Sequence, residues 1–192
     1  MERRFIKMIK ISYDLISVNH HNHIKSAFYL FLFFASVSAF AQDLTLDDVR
    51  KKYPLATKND SVCKELYNAL NGKADGTDVL SGYAGGVTML MAKSTANPFS
   101  KMEYFKDGKK LLEDAISNNK NDIELRFLRF AIQDNLPSML GYNENLEDDK
   151  SYIMKYLPML DKKELRKAIA NYLIKSEKTD DKEKASLKKY QN

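Results

Sequence analysis

Two arginines one helical turn apart are the chain's most informative pair of potentially reactive residues. Arg126 and Arg129 lie on the narrow polar side of an otherwise apolar segment, and Gln133 continues that side one turn later. Guanidinium groups in such a place either pair with carboxylates or present a planar fork to an anionic ligand. Pairing is the commoner outcome in proteins. Acidic residues nearby in sequence include Glu113, Asp114 and Asp122.

The segment that follows, residues 136–143, adds a fourth residue to this candidate site. Its Pro137, Gly141 and Asn143 predict a loop, yet it also carries apolar side chains and Tyr142. Such side chains usually cover a core and less often form a lip that recognises a ligand. The candidate ligand-binding residues are therefore Arg126, Arg129, Gln133 and Tyr142.

Catalytic patterns in the sequence are incomplete. Ser61 and Lys64 match the Ser-x-x-Lys spacing of serine acyl-enzymes, but no Lys-Thr-Gly follows, and a position just after a helix cap explains Ser61 better. Two carboxylates about 5–9.5 Å apart can hydrolyse glycosides without histidine. Sequence spacing selects no such pair, so no catalytic residue is assigned. The glutamates available for one are Glu103, Glu113, Glu124 and Glu147.

Metal-binding patterns are weak as well. Residues 143–149 alternate oxygen-bearing side chains as a calcium loop does, but they lack the turn glycine and the acidic residue at the twelfth place, where Met154 stands. The methionines that suggest a Cu(I) site, such as Met89 and Met91, have the helical spacing of core residues. The sequence predicts neither a metal nor a cofactor.

The first 41 residues have the pattern of a secretory signal. Five basic residues precede an apolar run that ends in Ala39-Phe40-Ala41, a small-residue cleavage site, so the exported chain should begin at Gln42. The alternative is a membrane anchor that is kept, but the apolar run is shorter than the roughly 20 residues that a bilayer needs. Cleavage is therefore favoured, and no membrane span is expected after it. The predicted location is periplasmic or extracellular.

Cleavage would remove every histidine, because His20, His21 and His23 are the only ones. The remaining 151 residues would have no imidazole for acid–base chemistry or zinc. Their 26 basic and 24 acidic residues give a net charge of +2, since five basic and two acidic residues leave with the leader. No concentrated basic face is apparent before the C-terminal tail, so nucleic acid is not a predicted partner.

Hydrophobic spacing predicts an all-α chain with no strand alternation. We expect a single domain of about six or seven helices over residues 42–175, in helical-hairpin packing of the tetratricopeptide-like or orthogonal-bundle kind. Residues 176–192 are rich in charge and are predicted to form a flexible tail, either a frayed helix or a disordered extension. The predicted helices run from Leu46 to Tyr53, near Asp60 to Asn71, Thr77 or Asp78 to about Lys93, Pro98 to Asn118, Asp122 to Asn135, about Leu146 to Leu157, and Asp161 to about Lys175.

Two of these helices have distinctive faces. Gly82, Gly85 and Gly86 share one side of the third helix, where they reduce helix stability unless a neighbouring helix approaches closely. Apolar residues, including Phe127 and Leu128, cover more than half of the circumference of the helix over 122–135. That helix is therefore predicted to be central, with both residues in the core.

The pattern Gly108-x-x-x-Leu112-x-x-Ala115, followed by an Asn-rich turn and a new helix at Ile123, resembles the second helix and turn of a tetratricopeptide repeat. The resemblance covers about one repeat, Lys120 stands where proline is usual, and no second copy occurs at a period of about 34 residues. As a whole, the chain resembles the uncharacterised small secreted helical proteins of Gram-negative bacteria. That resemblance implies export and helical structure and names no activity.

The leading hypothesis from the sequence is an exported helical binding or scaffold module that recognises a protein, a peptide or a small anion in the cell envelope. Many apolar helical faces and no catalytic signature favour it over an enzyme. The alternative is a histidine-free hydrolase of cell-envelope polymer that uses paired carboxylates.

Overall fold

The computed structural model describes residues 44–71 and 77–191, and this part of the chain is all-α. The predicted leader, residues 1–41, lies outside it. None of the helices described is long and apolar enough to cross a membrane. The eight α-helices within the described ranges are α1 (Leu46–Ala56), α2 (Asp60–Leu70), α3 (Asp78–Met91), α4 (Pro98–Asn118), α5 (Ile123–Asn135), α6 (Leu146–Tyr156), α7 (Lys163–Lys175) and α8 (Asp181–Leu187).

Side-chain caps place the start of the two best-predicted helices. The Asn97 side chain accepts a hydrogen bond from the Phe99 N–H at 2.9 Å, and Pro98 takes the first position of α4, where no N–H is needed. Asp122 accepts from the N–H groups of Glu124 and Leu125 at the start of α5. Both predicted segments are confirmed.

Two predicted helix ends were wrong. Helix α1 continues through Pro54 to Ala56. A proline near an exposed helix end removes one hydrogen bond, and the extra turn buries Ala56. Helix α7 begins at Lys163 rather than Asp161, and Lys162 before it makes no side-chain cap hydrogen bond. Helix α2 begins at Asp60 as predicted, and the side chain of Asn59 caps it.

Helices α3 and α4 form a closely packed antiparallel pair. A Cβ atom on Gly85 would lie 2.7 Å from the Gly108 carbonyl oxygen, and one on Gly108 would lie 2.5 Å from the Gly85 carbonyl oxygen. The contact brings backbone against backbone, which only glycine allows at this distance. The predicted close helix approach at the α3 glycines is confirmed, with Gly108 as its partner.

Helix α5 contributes to two hydrophobic clusters, which confirms its central position. Leu125 and Leu128 belong to a cluster with residues of α1 to α4, and Leu128 is 2% exposed. Phe130 belongs to a second cluster with residues of α6, α7 and α8. Phe127 is half-buried at the edge of that second cluster, with its ring centroid 5.4 Å from the ring centroid of Tyr172.

The C-terminal segment differs from the predicted flexible tail. Helix α8 has a capping box formed by Asp180 and Glu183, and Leu187 is 2% exposed within the second cluster. The Lys150 ammonium, from α6, donates to the Lys178 carbonyl oxygen at 2.8 Å. Leu187 and a few polar contacts thus hold α8 against the domain, although its charged composition predicts a segment exposed to solvent. Helix α8 is additional to the six or seven helices predicted from the sequence.

Candidate functional site

The Asp149 carboxylate holds both arginines of the predicted site. Arg129 donates to it through Nε at 2.7 Å and through Nη2 at 2.8 Å, and Arg126 donates through Nη1 at 3.0 Å. The Asp149 side chain is fully buried, and those of Arg129 and Arg126 are 8% and 20% exposed. The antiparallel packing of α5 against α6 brings the three together.

Glu113, on α4, extends this ion cluster. It accepts a hydrogen bond from Nη1 of Arg129 at 2.8 Å and another from the hydroxyl of Tyr142. Burial, followed by the hydrogen bond to Glu113, raises the pKa of Tyr142 above its ordinary value. Of the acidic partners expected from sequence, Glu113 is confirmed, whereas Asp122 caps α5 and Asp114 pairs with Lys110.

Gln133 lies one turn beyond Arg129 on α5. Its amide nitrogen donates to Oδ1 of Asn145 at 3.3 Å, and the whole residue is 2% exposed. Within the described ranges its Oε1 atom is buried without a hydrogen-bond partner. Three of the four predicted ligand residues, Arg126, Arg129 and Tyr142, therefore belong to one polar network between helices. Gln133 forms a separate contact.

Sequence reasoning missed Asp149, the residue that organises this network. It lies 20 residues from Arg129 in the chain, within the acidic run compared above with a calcium loop. Only an (i, i+3) or (i, i+4) spacing can be recognised as a pair from sequence. A single Asp in a helix next to a buried position offers no such signal.

A second buried ion pair was also missed. Arg50, on α1, donates to both oxygens of Glu124 at 2.7 Å, and the Tyr83 hydroxyl donates to the same carboxylate at 2.9 Å. Burial, followed by the negative charge of Glu124, raises the pKa of Tyr83. This cluster joins α1, α3 and α5.

The glutamates considered for hydrolysis are placed differently from a catalytic pair. Glu113 and Glu124 accept from buried arginines, and Glu147 pairs with Lys150 at 3.0 Å. Glu103 is exposed on α4.

The remaining chemical motifs have structural roles. The N–H of Ser61 donates to the capping Asn59 side chain. Burial raises the pKa of the Cys63 thiol, whose sulfur lies 3.9 Å from that of Met91 in the first cluster. Across residues 44–71 and 77–191, no three His, Cys, Asp or Glu side chains converge as metal ligands.

An exposed apolar surface lies on the first half of α4. Phe99 is 87% exposed and Met102 is 42% exposed, although each is a large hydrophobic side chain. With Pro98, they share one face of α4 with the charged residues Glu103, Lys106 and Asp107. We call these six residues the α4 surface. An apolar centre with charges of both signs around it is the arrangement found at protein–protein contacts.

Comparison with protein-family models, with curated protein sequences and with solved structures finds no match for this chain. The class that its fold defines is a small all-α protein with two hydrophobic clusters and buried ion pairs between its helices.

Proposed function

We propose that this chain is an exported binding module that contacts an apolar segment of a protein partner in the cell envelope through the α4 surface. The observation that carries the proposal is the exposure of Phe99. A phenylalanine that remains 87% accessible on a well-formed helix contributes little to folding and leaves a large apolar area in water.

The composition of the α4 surface supports a protein partner. Aromatic and methionine side chains are enriched at the centre of protein interfaces, where they supply most of the binding free energy. Methionine also adapts its shape to different partners. Phe99 and Met102 are one turn apart, so they can enter one apolar groove or flank one apolar side chain of the partner.

The arginine network gives less support to recognition of a small anion. Arg129 already donates three hydrogen bonds to Asp149 and Glu113, and its side chain is 8% exposed. An anion would have to displace a buried carboxylate from this arginine. We therefore place the binding role on α4 and a structural role on the arginines.

The test uses Phe99→Glu, with Leu55→Glu as the matched control. Leu55 is also a large apolar residue, 57% exposed, but it lies on α1. Each protein is used to capture partners from envelope extract, and a captured protein is then titrated against both variants. We expect Phe99→Glu to lower affinity by about tenfold or more while thermal stability is unchanged. Equal affinity of the Phe99→Glu variant and the unchanged protein would contradict the proposal.

A further inference from the structure

Charge is distributed unevenly along the chain. Residues 44–149 contain 14 basic and 17 acidic residues, whereas residues 150–191 contain 12 basic and 6 acidic residues. The two segments therefore have net charges of −3 and +6. A strong asymmetry of this kind is characteristic of chains that contact anionic surfaces.

The fold concentrates part of this positive charge in one place. The Arg166 guanidinium lies 5.7 Å from the centroid of the Tyr190 ring, and the Lys189 ammonium lies 5.0 Å from the same centroid. The Gln191 side chain donates to Asn171 at 2.9 Å, which holds the end of the chain against α7. The 3-10 turn Lys188–Tyr190 contacts α7, and we call the cations at the start of α7 and in this turn the basic surface: Lys162, Lys163, Arg166, Lys167, Lys188 and Lys189.

The five lysines of the basic surface make no ion pair with any carboxylate in the described part of the chain. Lys162, Lys163, Lys188 and Lys189 are exposed. Asp161 and Glu164 are the acidic residues in the same stretch of chain. The cations therefore outnumber nearby anions, and their charge is available to a partner.

The lysines at the N-terminus of α7 lower the stability of that helix. Cations at a helix N-terminus oppose the helix dipole. Lys162 precedes α7 without making a side-chain cap hydrogen bond, and Lys163 is its first residue. A local arrangement that lowers helix stability is expected where the residues serve another role.

Apolar and aromatic side chains lie beside the basic surface. Met159 is 72% exposed in the 3-10 turn Leu157–Met159, and Pro158 next to it is also exposed. The carbonyl oxygen of Leu160, one residue further on, accepts a hydrogen bond from Arg166 at 2.9 Å. Met159 is thus three residues from Lys162, at the edge of the cationic group.

We infer that the basic surface binds the surface of an anionic lipid bilayer, with Met159 entering the headgroup region. Lysines are flexible point charges that suit a diffuse layer of lipid phosphates, and each contributes to attraction near such a surface. An exposed apolar side chain next to them adds the second component of peripheral membrane binding. Tyr190, half-buried among the cations, has the amphipathic ring that favours the bilayer interface.

The test compares variants by co-sedimentation with vesicles of phosphatidylglycerol and phosphatidylcholine, and with vesicles of phosphatidylcholine alone. The protein is taken in the form that an exporting cell releases, with its first residue determined, and all variants are treated alike. The test variant changes Lys162, Lys163, Lys188 and Lys189 to Gln. The matched control changes four exposed lysines outside this surface to Gln, which gives the same net charge: Lys51, Lys58, Lys64 and Lys93.

We expect the test variant to lose affinity for anionic vesicles by more than about tenfold, and the control to lose much less. Met159→Ser, which leaves the charge unchanged, should lower the same affinity by about fivefold. Raising the salt concentration should weaken binding of the unchanged protein. Thermal melts of all three variants establish that each is folded.

Two results would overturn the inference. One is an equal loss in the test and control variants, which would mean that net charge alone is responsible. The other is binding to double-stranded DNA or polyglutamate as tight as binding to anionic vesicles, which would make the surface a general polyanion site. Neither result bears on the α4 surface, since Phe99 is unchanged in every variant.

Discussion

At the scale of single residues, the molecule depends on a few charged side chains placed inside it. Asp149 is fully buried and is neutralised by Arg126 and Arg129, while Glu124 is 4% exposed and is neutralised by Arg50. Desolvation makes such groups costly unless each has its partner. The partners lie on different helices, so each pair fixes how those helices meet.

The sharpest residue-scale prediction concerns Arg129→Met. Removal of the guanidinium leaves Asp149 with Arg126 alone and leaves Glu113 without its arginine, so the free energy of unfolding should fall by about 3–5 kcal/mol. Urea denaturation measures it. The control is Lys110→Met in the exposed Lys110–Asp114 pair, where no measurable change is expected. Unchanged stability of Arg129→Met would contradict the structural role and would reopen the arginines as a ligand site.

At the scale of helices, backbone contact and a single apolar anchor decide two associations. Gly85 and Gly108 allow α3 and α4 to touch, and Leu187 attaches α8 to the second cluster. Both features depend on the presence or absence of one side chain, so each can be tested by one substitution.

Gly85→Ala should destabilise the protein even though alanine favours helix formation. The new Cβ would lie 2.7 Å from the Gly108 carbonyl oxygen and 2.8 Å from the Leu112 nitrogen, both backbone atoms that cannot move without the helix. We expect a loss of about 1–3 kcal/mol in thermal or urea unfolding. Gly82→Ala is the comparison, because its Cβ would meet the end of the Leu125 side chain. A larger loss at Gly82 than at Gly85 would be inconsistent with a contact between backbones.

Leu187→Ala should cost about 2–5 kcal/mol if α8 is part of the folded unit. Leu187 is 2% exposed, whereas Lys182 on the same helix is exposed, so Lys182→Ala serves as the control. Amide hydrogen exchange over residues 181–190 provides a second measurement. Stability unaffected by Leu187→Ala, with unprotected amides, would favour the flexible tail that composition predicts.

At the scale of the whole molecule, two buried and two partly buried tyrosines set an alkaline limit to stability. Burial is the main cause that raises the pKa of Tyr53, Tyr83, Tyr142 and Tyr172 above the ordinary value of 10.0. Above about pH 10 the unfolded chain therefore releases protons that the native chain retains, and stability falls as pH rises. The raised pKa values of Cys63 and Lys150 act in the same direction.

Urea unfolding followed from neutral pH to beyond pH 10, with tyrosinate absorbance recorded in parallel, tests this limit. We expect stability to decline above about pH 10, and the native tyrosines to ionise later than those of the unfolded chain. Tyr142→Phe should remove part of the decline. Stability that stays constant across this range would show that these hydroxyls are not shielded from water.

The chain is also predicted to be exported and cleaved. The small residues at Ala39 and Ala41 suit signal peptidase, so the released protein should begin at Gln42. Intact mass and N-terminal sequencing of the exported protein decide the matter. Recovery of a membrane-bound chain that still begins at Met1 would remove the argument that the working protein has no histidine.

The sequence by itself determined the all-α class, the segments of α4 and α5, and the central place of α5. These follow from local causes: apolar spacing of 3.6 residues, and caps such as Asn97 and Asp122 that act within one turn. It also placed Arg126, Arg129 and Gln133 on one side of α5, because their spacing follows the helical period.

Only the tertiary structure decided which neighbours those are. Asp149 and Arg50 reach their partners across helices, at separations of 20 and 74 residues, where no local spacing identifies a pair. Docking of α8 likewise depends on Leu187 meeting a cluster formed by α5, α6 and α7. The exposure of Phe99 could not be predicted from sequence either. The spacing of apolar residues shows which face of a helix is hydrophobic but not whether another element covers a given side chain.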